Sequence, residues 1–170
     1  MFKSLYPDNY IDSTYLIDFD DYYAKGYRGV IFDIDNTLVP HGAPHDDRSL
    51  KLINHLKEIG FNVLFLSNNK EPRVKSFNEP VSCNYIYKAG KPKKSGYIRA
   101  MDILGTNVDN TLFVGDQIFT DVWGAKAVGI HSILVKQIDK KEEIQIILKR
   151  RLEWIVLFFY KRYLKKLDKH

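Results

Sequence analysis

Gly29-Val30-Ile31-Phe32-Asp33-Ile34-Asp35-Asn36-Thr37 is the stretch on which the fold turns. A short apolar run behind a glycine reads as a strand buried on both faces, and two carboxylates follow where the chain leaves it. The same pattern returns in Asn62-Val63-Leu64-Phe65-Leu66-Ser67, in Thr111-Leu112-Phe113-Val114-Gly115 and in Ser132-Ile133-Leu134-Val135, with a shorter version in Tyr85-Ile86-Tyr87-Lys88. Between these runs, Asp47 to Ile59 sets Leu50, Ile53, Leu56 and Ile59 at helical spacing ahead of the stop signal Gly60. Glu71 to Asn78 reads as a short helix, Lys94 to Leu104 gathers Tyr97, Ile98, Met101 and Leu104 on one face, and Phe119 to Val128 ends at Gly129. Strands alternating with helices predict an α/β fold: a Rossmann-like, doubly wound parallel sheet with helices on both faces.

In such a sheet ligands bind beyond the carboxyl ends of the strands, so the polar residues just after each run are expected to converge. They are Asp33, Asp35, Asn36 and Thr37 after the first run, Ser67, Asn68 and Asn69 after the second, Lys91 after the weak one, and Asp116 and Asp121 after the fourth. Carboxylates brought together without a counter-charge repel one another and resist burial. A hard divalent cation answers that, and Mg2+ favours a few carboxylates together with waters and phosphate oxygens. A lysine and a serine beside it suit the remaining oxygens of a phosphoryl group. Taken singly, each motif has a plainer reading, since a lone Asp-x-Asp is usually a turn or a helix cap. It is the joint placement that argues for a site. Lys88, Lys93 and Lys94 are rivals to Lys91, and neither His41 nor His45 has a partner in any motif.

Asp33-Ile34-Asp35-Asn36-Thr37 resembles the DxDxT signature of the haloacid dehalogenase (HAD) superfamily. Ser67 resembles its second motif, Lys91 in Gly90-Lys91-Pro92 its third, and Gly115-Asp116-Gln117-Ile118-Phe119-Thr120-Asp121 its GDxxxxD fourth, in the family's order and across residues 28–136. The resemblance implies that Asp33 is the nucleophile of an aspartyl-phosphate mechanism. It makes Asp35 the general acid and then the base. It implies that Mg2+ is held by Asp33, Asp116 and the backbone carbonyl of Asp35, with Asp121 reaching the metal or its waters. It assigns Ser67 and Lys91 to the transferring phosphoryl group, Thr37 to orienting the loop and Asp35 within the phosphate-binding set, and Asn68 to a phosphate or substrate contact. An acid at position 35 is the phosphotransferase feature, which counts against dehalogenation.

Caps that select small substrates are inserted between the first and second or the second and third motifs of that superfamily. The two gaps here, 33 to 67 and 67 to 91, are filled by the elements already read and leave no room for a folded cap. The site is therefore expected to be open, suiting phosphoproteins, nucleic-acid ends or lipid head groups, or to be closed by a partner subunit such as a second copy. The loop from Val39 to Asp46 is a candidate flap. Leu5-Tyr6-Pro7-Asp8-x-Tyr10, the DIDNTLV run from Asp33 to Val39 and Leu66-Ser67-Asn68-Asn69 further resemble the capless YqeG-type branch, which is related to a mitochondrial phosphatidylglycerophosphate phosphatase. That relationship implies phosphatidylglycerophosphate as the substrate. A soluble phosphomonoester or a phosphoprotein is the alternative, and a phosphoryl-accepting signalling or partner-binding domain is the reading outside enzymes.

Composition agrees with one ordinary globular domain: 170 residues, 45% hydrophobic and 28% charged. A lone cysteine, Cys83, excludes an intrachain disulfide and multi-cysteine zinc, and suits a cytoplasmic setting. The net charge of +5 is uneven, because Lys149 to His170 carries eight Lys or Arg against two acids. A uniformly basic nucleic-acid-binding surface is thereby disfavoured. No run is long enough to span a membrane, and the opening residues lack the pattern of a secretory signal. The expected organisation is a phosphatase domain at 1–148 and a basic, aromatic helix at 149–170, dispensable for turnover of a small ester. On that helix Leu152, Val156, Phe159, Tyr160, Tyr163 and Leu167 share one face, Lys161, Arg162, Lys165, Lys166 and Lys169 fall largely on the other, and Trp154, Ile155 and Phe158 make its first turns apolar nearly all round. It is expected either to lie on an anionic membrane surface or partner, peripheral on the inner face, or to pack on its own domain, where the aromatic N-terminal region is within reach.

Overall fold

The computed structural model describes residues 3–139 and 144–167, apart from the side chains of 144–148. In chain order the elements are β1 (Asn9–Ile11), α1 (Phe19–Ala24), β2 (Gly29–Phe32), α2 (Asp47–Ile59), β3 (Asn62–Leu66), α3 (Glu71–Asn78), β4 (Asn84–Ile86), α4 (Lys94–Leu104), β5 (Thr111–Gly115), α5 (Trp123–Val128), β6 (His131–Val135) and α6 (Ile144–Leu167). The strands form one six-stranded sheet in the order β1-β6-β5-β2-β3-β4, with every pairing parallel. The expected α/β sheet is thus present.

Alternation along each strand divides the core in two. Val30 and Phe32 of β2, Val63 and Phe65 of β3, and Leu112 and Val114 of β5 face Phe19 of α1, Ile53 and Leu56 of α2, and Val74 and Phe77 of α3. Ile31, Leu64, Leu66 and Phe113 point the other way, onto Tyr97, Ala100, Met101 and Leu104 of α4 and Ala125 of α5. Central strands covered on both faces have no polar side, which is why they read as unbroken apolar runs.

From β2 the chain steps outward to β3 and β4, then returns to the other side of β2 for β5 and β6. The direction of winding therefore reverses between β2 and β5, and a crevice opens at their carboxyl ends. The register aligns Phe32 with Val114, so Asp33 and Gly115-Asp116 leave the sheet side by side, and Asp33 N donates to Val114 O at 3.0 Å.

Several details depart from the sequence reading, among them α1 (Phe19–Ala24), which lies in a stretch read only as aromatic and acidic. β1 was not anticipated: it is a three-residue edge strand whose apolar pattern is too short to register, anchored by Ser132 N and Oγ, which donate to Asp8 Oδ2 at 2.8 and 3.0 Å. β4 stops at Ile86 instead of Lys88, because Lys88 turns at positive φ and donates its N–H to Asn69 O. The helix expected at 119–128 opens as a wider π turn over Ile118–Val122, in which Asp121 N and Val122 N share Gln117 O. The boundary expected at 148/149 falls inside α6, which starts at Ile144.

α6 packs on the domain through Val156 and Tyr160, both buried, with Val156 against Ile118, Val122 and Leu134. The aromatic N-terminal region does meet it: the Tyr6 ring lies 5.4 Å from Tyr160 and 5.5 Å from Tyr163. The buried stripe is Glu153-Val156-Tyr160, rotated from the apolar face read in the sequence, while Leu152 and Leu167 are exposed. Lys169 lies outside the described residues.

Candidate active site

The DxDxT segment leaves β2 as a tight loop. Thr37 N and Leu38 N return to Ile34 O, and Asn36 N donates to Val39 O at 2.7 Å. This curl keeps Asp33 buried against the sheet while Asp35 lines the cleft above it. On the neighbouring strand, Gly115 lets Asp121 fold back over the chain, where its Oδ2 accepts the N–H groups of Asp116 and Gln117 at 3.1 and 3.0 Å.

Lys91 joins the two sides. Its Nζ donates to Asp33 Oδ1 at 2.8 Å and to Asp121 Oδ1 at 2.7 Å, with all three side chains buried. Asn68 seats it: Lys91 N donates to Asn68 Oδ1 at 2.8 Å, and Asn68 Nδ2 donates to Lys91 O at 3.2 Å. The Asn68 amide is thus engaged by the Lys91 backbone while the residue lines the cleft. Buried Ser67 accepts the N–H of Asn69 on its Oγ at 3.1 Å and lines the same cleft. Thr37 Oγ1 donates to Asp116 Oδ1 at 3.2 Å, which places its hydroxyl on the aspartate side of the site.

Carboxylate oxygens of Asp33, Asp116 and Asp121 lie within 4.8 Å of one another, all buried. Burial is the main force pushing the Asp33 carboxyl up to about 6, opposed by Lys91 and reinforced by Asp121. Burial also drives Asp116 well above the ordinary carboxylate range, against the pull of Arg150. Lys91 is displaced upward: burial works against its charge, but Asp121 and Asp33 more than offset that. Four buried acids, Asp33, Asp116, Asp121 and Glu153, face two cations, Lys91 and Arg150, an excess of acidic groups that a divalent cation would offset. The donor set, hard oxygens at short mutual distance, fits Mg2+.

Asp35 stands apart electrostatically. Its Oδ1 accepts Arg73 Nη2 and Gly42 N, each at 2.8 Å, and its Oδ2 accepts Asn69 Nδ2 at 2.7 Å. Burial would raise its pKa, but these three donors outweigh it and hold the carboxyl below its ordinary value. Gly42 belongs to the 39–46 loop, so the candidate flap touches the candidate acid directly.

The cleft is lined by Asp33, Asp35, Ser67, Asn68 and Lys91, together with His41 from the flap and Lys149 from α6. His41 therefore borders the site despite having no motif partner in the sequence, whereas His45 does not line it. Arg73, Arg150 and Glu153 were missed. Arg73 had one available signal, since a carboxylate outside the metal set needs a cation of its own. Arg150 and Glu153 had none, lying more than thirty residues from the Asp116–Phe119 loop that they bond.

Residues 88–147 match the family described as HAD-hydrolase-like. The probable phosphatase YqeG of Bacillus subtilis is 33% identical over 161 residues, covering 94% of this chain and 94% of that protein. Phosphatidylglycerophosphate phosphatase 1, chloroplastic/mitochondrial, of Arabidopsis thaliana is 26% identical over 161 residues, covering 88% of this chain and 45% of that longer protein. Among solved structures, the cobalt-bound deoxy-D-mannose-octulosonate 8-phosphate phosphatase of Haemophilus influenzae superposes with a TM-score of 0.53 at 15% identity, over 65% of this chain and 69% of that one, a likeness of fold.

Proposed function

The chain belongs to the HAD-type phosphatases, in the family of the probable phosphatase YqeG, and from that membership we propose a Mg2+-dependent phosphomonoester hydrolase whose nucleophile is Asp33. The observation that carries this reading is the buried bridge from Lys91 to Asp33 and Asp121, with Asp116 in the same cluster. An Asp33 carboxylate oxygen bonds to phosphorus as the ester P–O bond breaks, and Asp35 gives its proton to the departing alkoxide. Asp35 then takes a proton from water, whose oxygen attacks the aspartyl phosphate; the P–O bond to Asp33 breaks and inorganic phosphate leaves. Asp33, Asp116 and Asp121, with the Asp35 carbonyl, would hold Mg2+, which when bound supplies positive charge to the phosphoryl oxygens. Lys91 and Ser67 bind those oxygens from the other side, where charge stabilisation does most of the work. Asp35 is a carboxylate at rest, and the arriving phosphoryl dianion supplies the negative charge that raises its affinity for the first proton.

The substrate of this reading is phosphatidylglycerophosphate. The Arabidopsis relative's name supports it, as do the uncapped cleft and the outer face of α6. Trp154 is 79% exposed, Ile155 52% and Phe158 56%, and the next turns carry Lys161, Arg162, Lys165 and Lys166. An apolar patch beside a basic one suits an anionic lipid surface. At 1.5 Å per residue the patch begins about 6 Å along α6 from Arg150, which contacts the site. No helix among the described residues is long and apolar enough to cross a membrane, so contact would be peripheral.

Phosphate release from phosphatidylglycerophosphate in mixed micelles, compared with soluble sugar, nucleotide and phosphopeptide monoesters, tests the assignment. Higher kcat/KM on the lipid is expected. Preference for a soluble ester would remove the lipid substrate and keep the phosphatase. Full activity of Asp33→Asn would remove the mechanism itself.

A further inference from the structure

α6 reaches the site with two side chains one turn apart. Arg150 Nη1 donates to Asp116 O at 2.5 Å and to Glu153 Oε2 at 3.2 Å, while Nη2 donates to Asp116 Oδ2. Glu153 Oε1 accepts Ile118 N at 2.8 Å and Phe119 N at 3.4 Å. Between them the two residues hold the loop from Asp116 to Phe119 by its main chain and grip the Asp116 carboxylate as well. Glu153 is 5% exposed, and nothing in the reaction uses it.

We propose that Arg150, seated by Glu153, is the positioning residue for Asp116, so that α6 forms part of the metal-binding unit. The inference rests on the divalent-cation reading given above. A carboxylate ligand can turn about two side-chain bonds, and each wrong orientation lowers affinity. Here one Asp116 oxygen is held by the guanidinium and the other accepts the Thr37 hydroxyl, so the plane of the carboxylate is fixed from both sides. The planar fork of arginine meets main-chain and side-chain oxygens of one residue together, which a lysine ammonium cannot reproduce in the same geometry. Glu153 offsets the positive charge that Arg150 brings near the cation. Outer partners of this kind are typically worth about 10–100-fold in metal affinity.

A rival role predicts the opposite sign. If Arg150 merely stood in for the cation, removing it would tighten metal binding. Titration of the full chain with Mn2+, followed by electron paramagnetic resonance, separates the two. For Arg150→Met we expect Mn2+ affinity to fall about 10–100-fold, with part of the loss restored in Arg150→Lys. Asp116→Asn is the control and should abolish tight binding. If Asp116→Asn binds Mn2+ like the wild type, the metal reading fails. If it loses binding while Arg150→Met binds as tightly as the wild type, or more tightly, the positioning role is refuted and the metal reading stands. Should Arg150→Met fail to fold by circular dichroism, Glu153→Gln takes its place: it leaves the fork on Asp116 but unseats it, so weaker Mn2+ binding is expected and unchanged binding overturns the proposal.

Discussion

Asp121 lies directly over Gly115: a Cβ placed on Gly115 would stand 2.4 Å from Asp121 Oδ2 and 2.5 Å from its Cγ. The glycine that opens the GDxxxxD segment is therefore the space its last aspartate occupies. Gly115→Ala is expected to push Asp121 off Lys91 and off the Asp116 and Gln117 N–H groups. Overpacking of this kind costs about 1–3 kcal/mol, and phosphatase activity is expected to fall far more than stability. Urea denaturation alongside phosphate release measures both; an alanine variant with wild-type activity would show that Asp121 need not sit there.

Divalent cations are expected to stabilise the protein. Crowding the Asp33, Asp116 and Asp121 carboxyls together in a buried site disfavours the metal-free fold, and a ligand at about 100 times its Kd adds about 2.7 kcal/mol. For a chain of this size that raises Tm by about 5–10 °C. Calorimetry with Mg2+ and with a chelator checks it, and the shift should vanish in Asp116→Asn.

Arg73 is expected to set the acid limb of the pH profile. It helps to hold Asp35 as a carboxylate, the form that the proposed mechanism needs to accept a proton from water. In Arg73→Gln the Asp35 pKa rises, so the rate starts to fall at a higher pH as the solution is acidified. The sign for stability is the same kind of statement. A depressed Asp35 pKa contributes stability above the ordinary carboxylate value, lost as pH falls through the folded value, and Arg73→Gln should remove part of it. A pH–kcat series on both proteins would expose an unmoved limb.

Tyr97 fixes the other side of the loop. Its hydroxyl donates to Thr120 O at 2.6 Å, and its ring fills the space above Gly124, where an added Cβ would come within 2.3 Å. Tyr97→Phe leaves a part-buried carbonyl short of a partner and should cost about 1 kcal/mol. Gly124→Ala should be at least as destabilising, because the ring it meets is fully buried. Thermal melts of the two variants decide.

The tail can be divided by function. Removing Lys149 to His170 takes away Arg150 and Glu153 and should depress turnover of even a small soluble ester, contrary to the dispensable tail expected from sequence. Replacing Trp154, Ile155 and Phe158 by serine leaves both residues in place. It should spare soluble turnover while weakening sedimentation with phosphatidylglycerol vesicles. Equal loss on soluble and vesicle substrates in the serine variant would count against a lipid-facing role.

Sequence alone determined five of the six strands, the limits of α2, α3 and α4, and the strand ends where acids, serine and lysine meet, because central strands covered on both faces must be apolar and the polar residues that follow them stand out. It did not reveal β1 or α1, whose three and six residues carry too short a pattern, nor the orientation of α6, whose apolar residues surround its first turns. The tertiary structure decided which charges face each other: Arg73 on Asp35, Arg150 on Asp116, Glu153 under the loop that follows. Periodicity reports burial, which is written locally in the chain. Charge pairing between distant segments depends on the docking of helices, and no local pattern of residues encodes it.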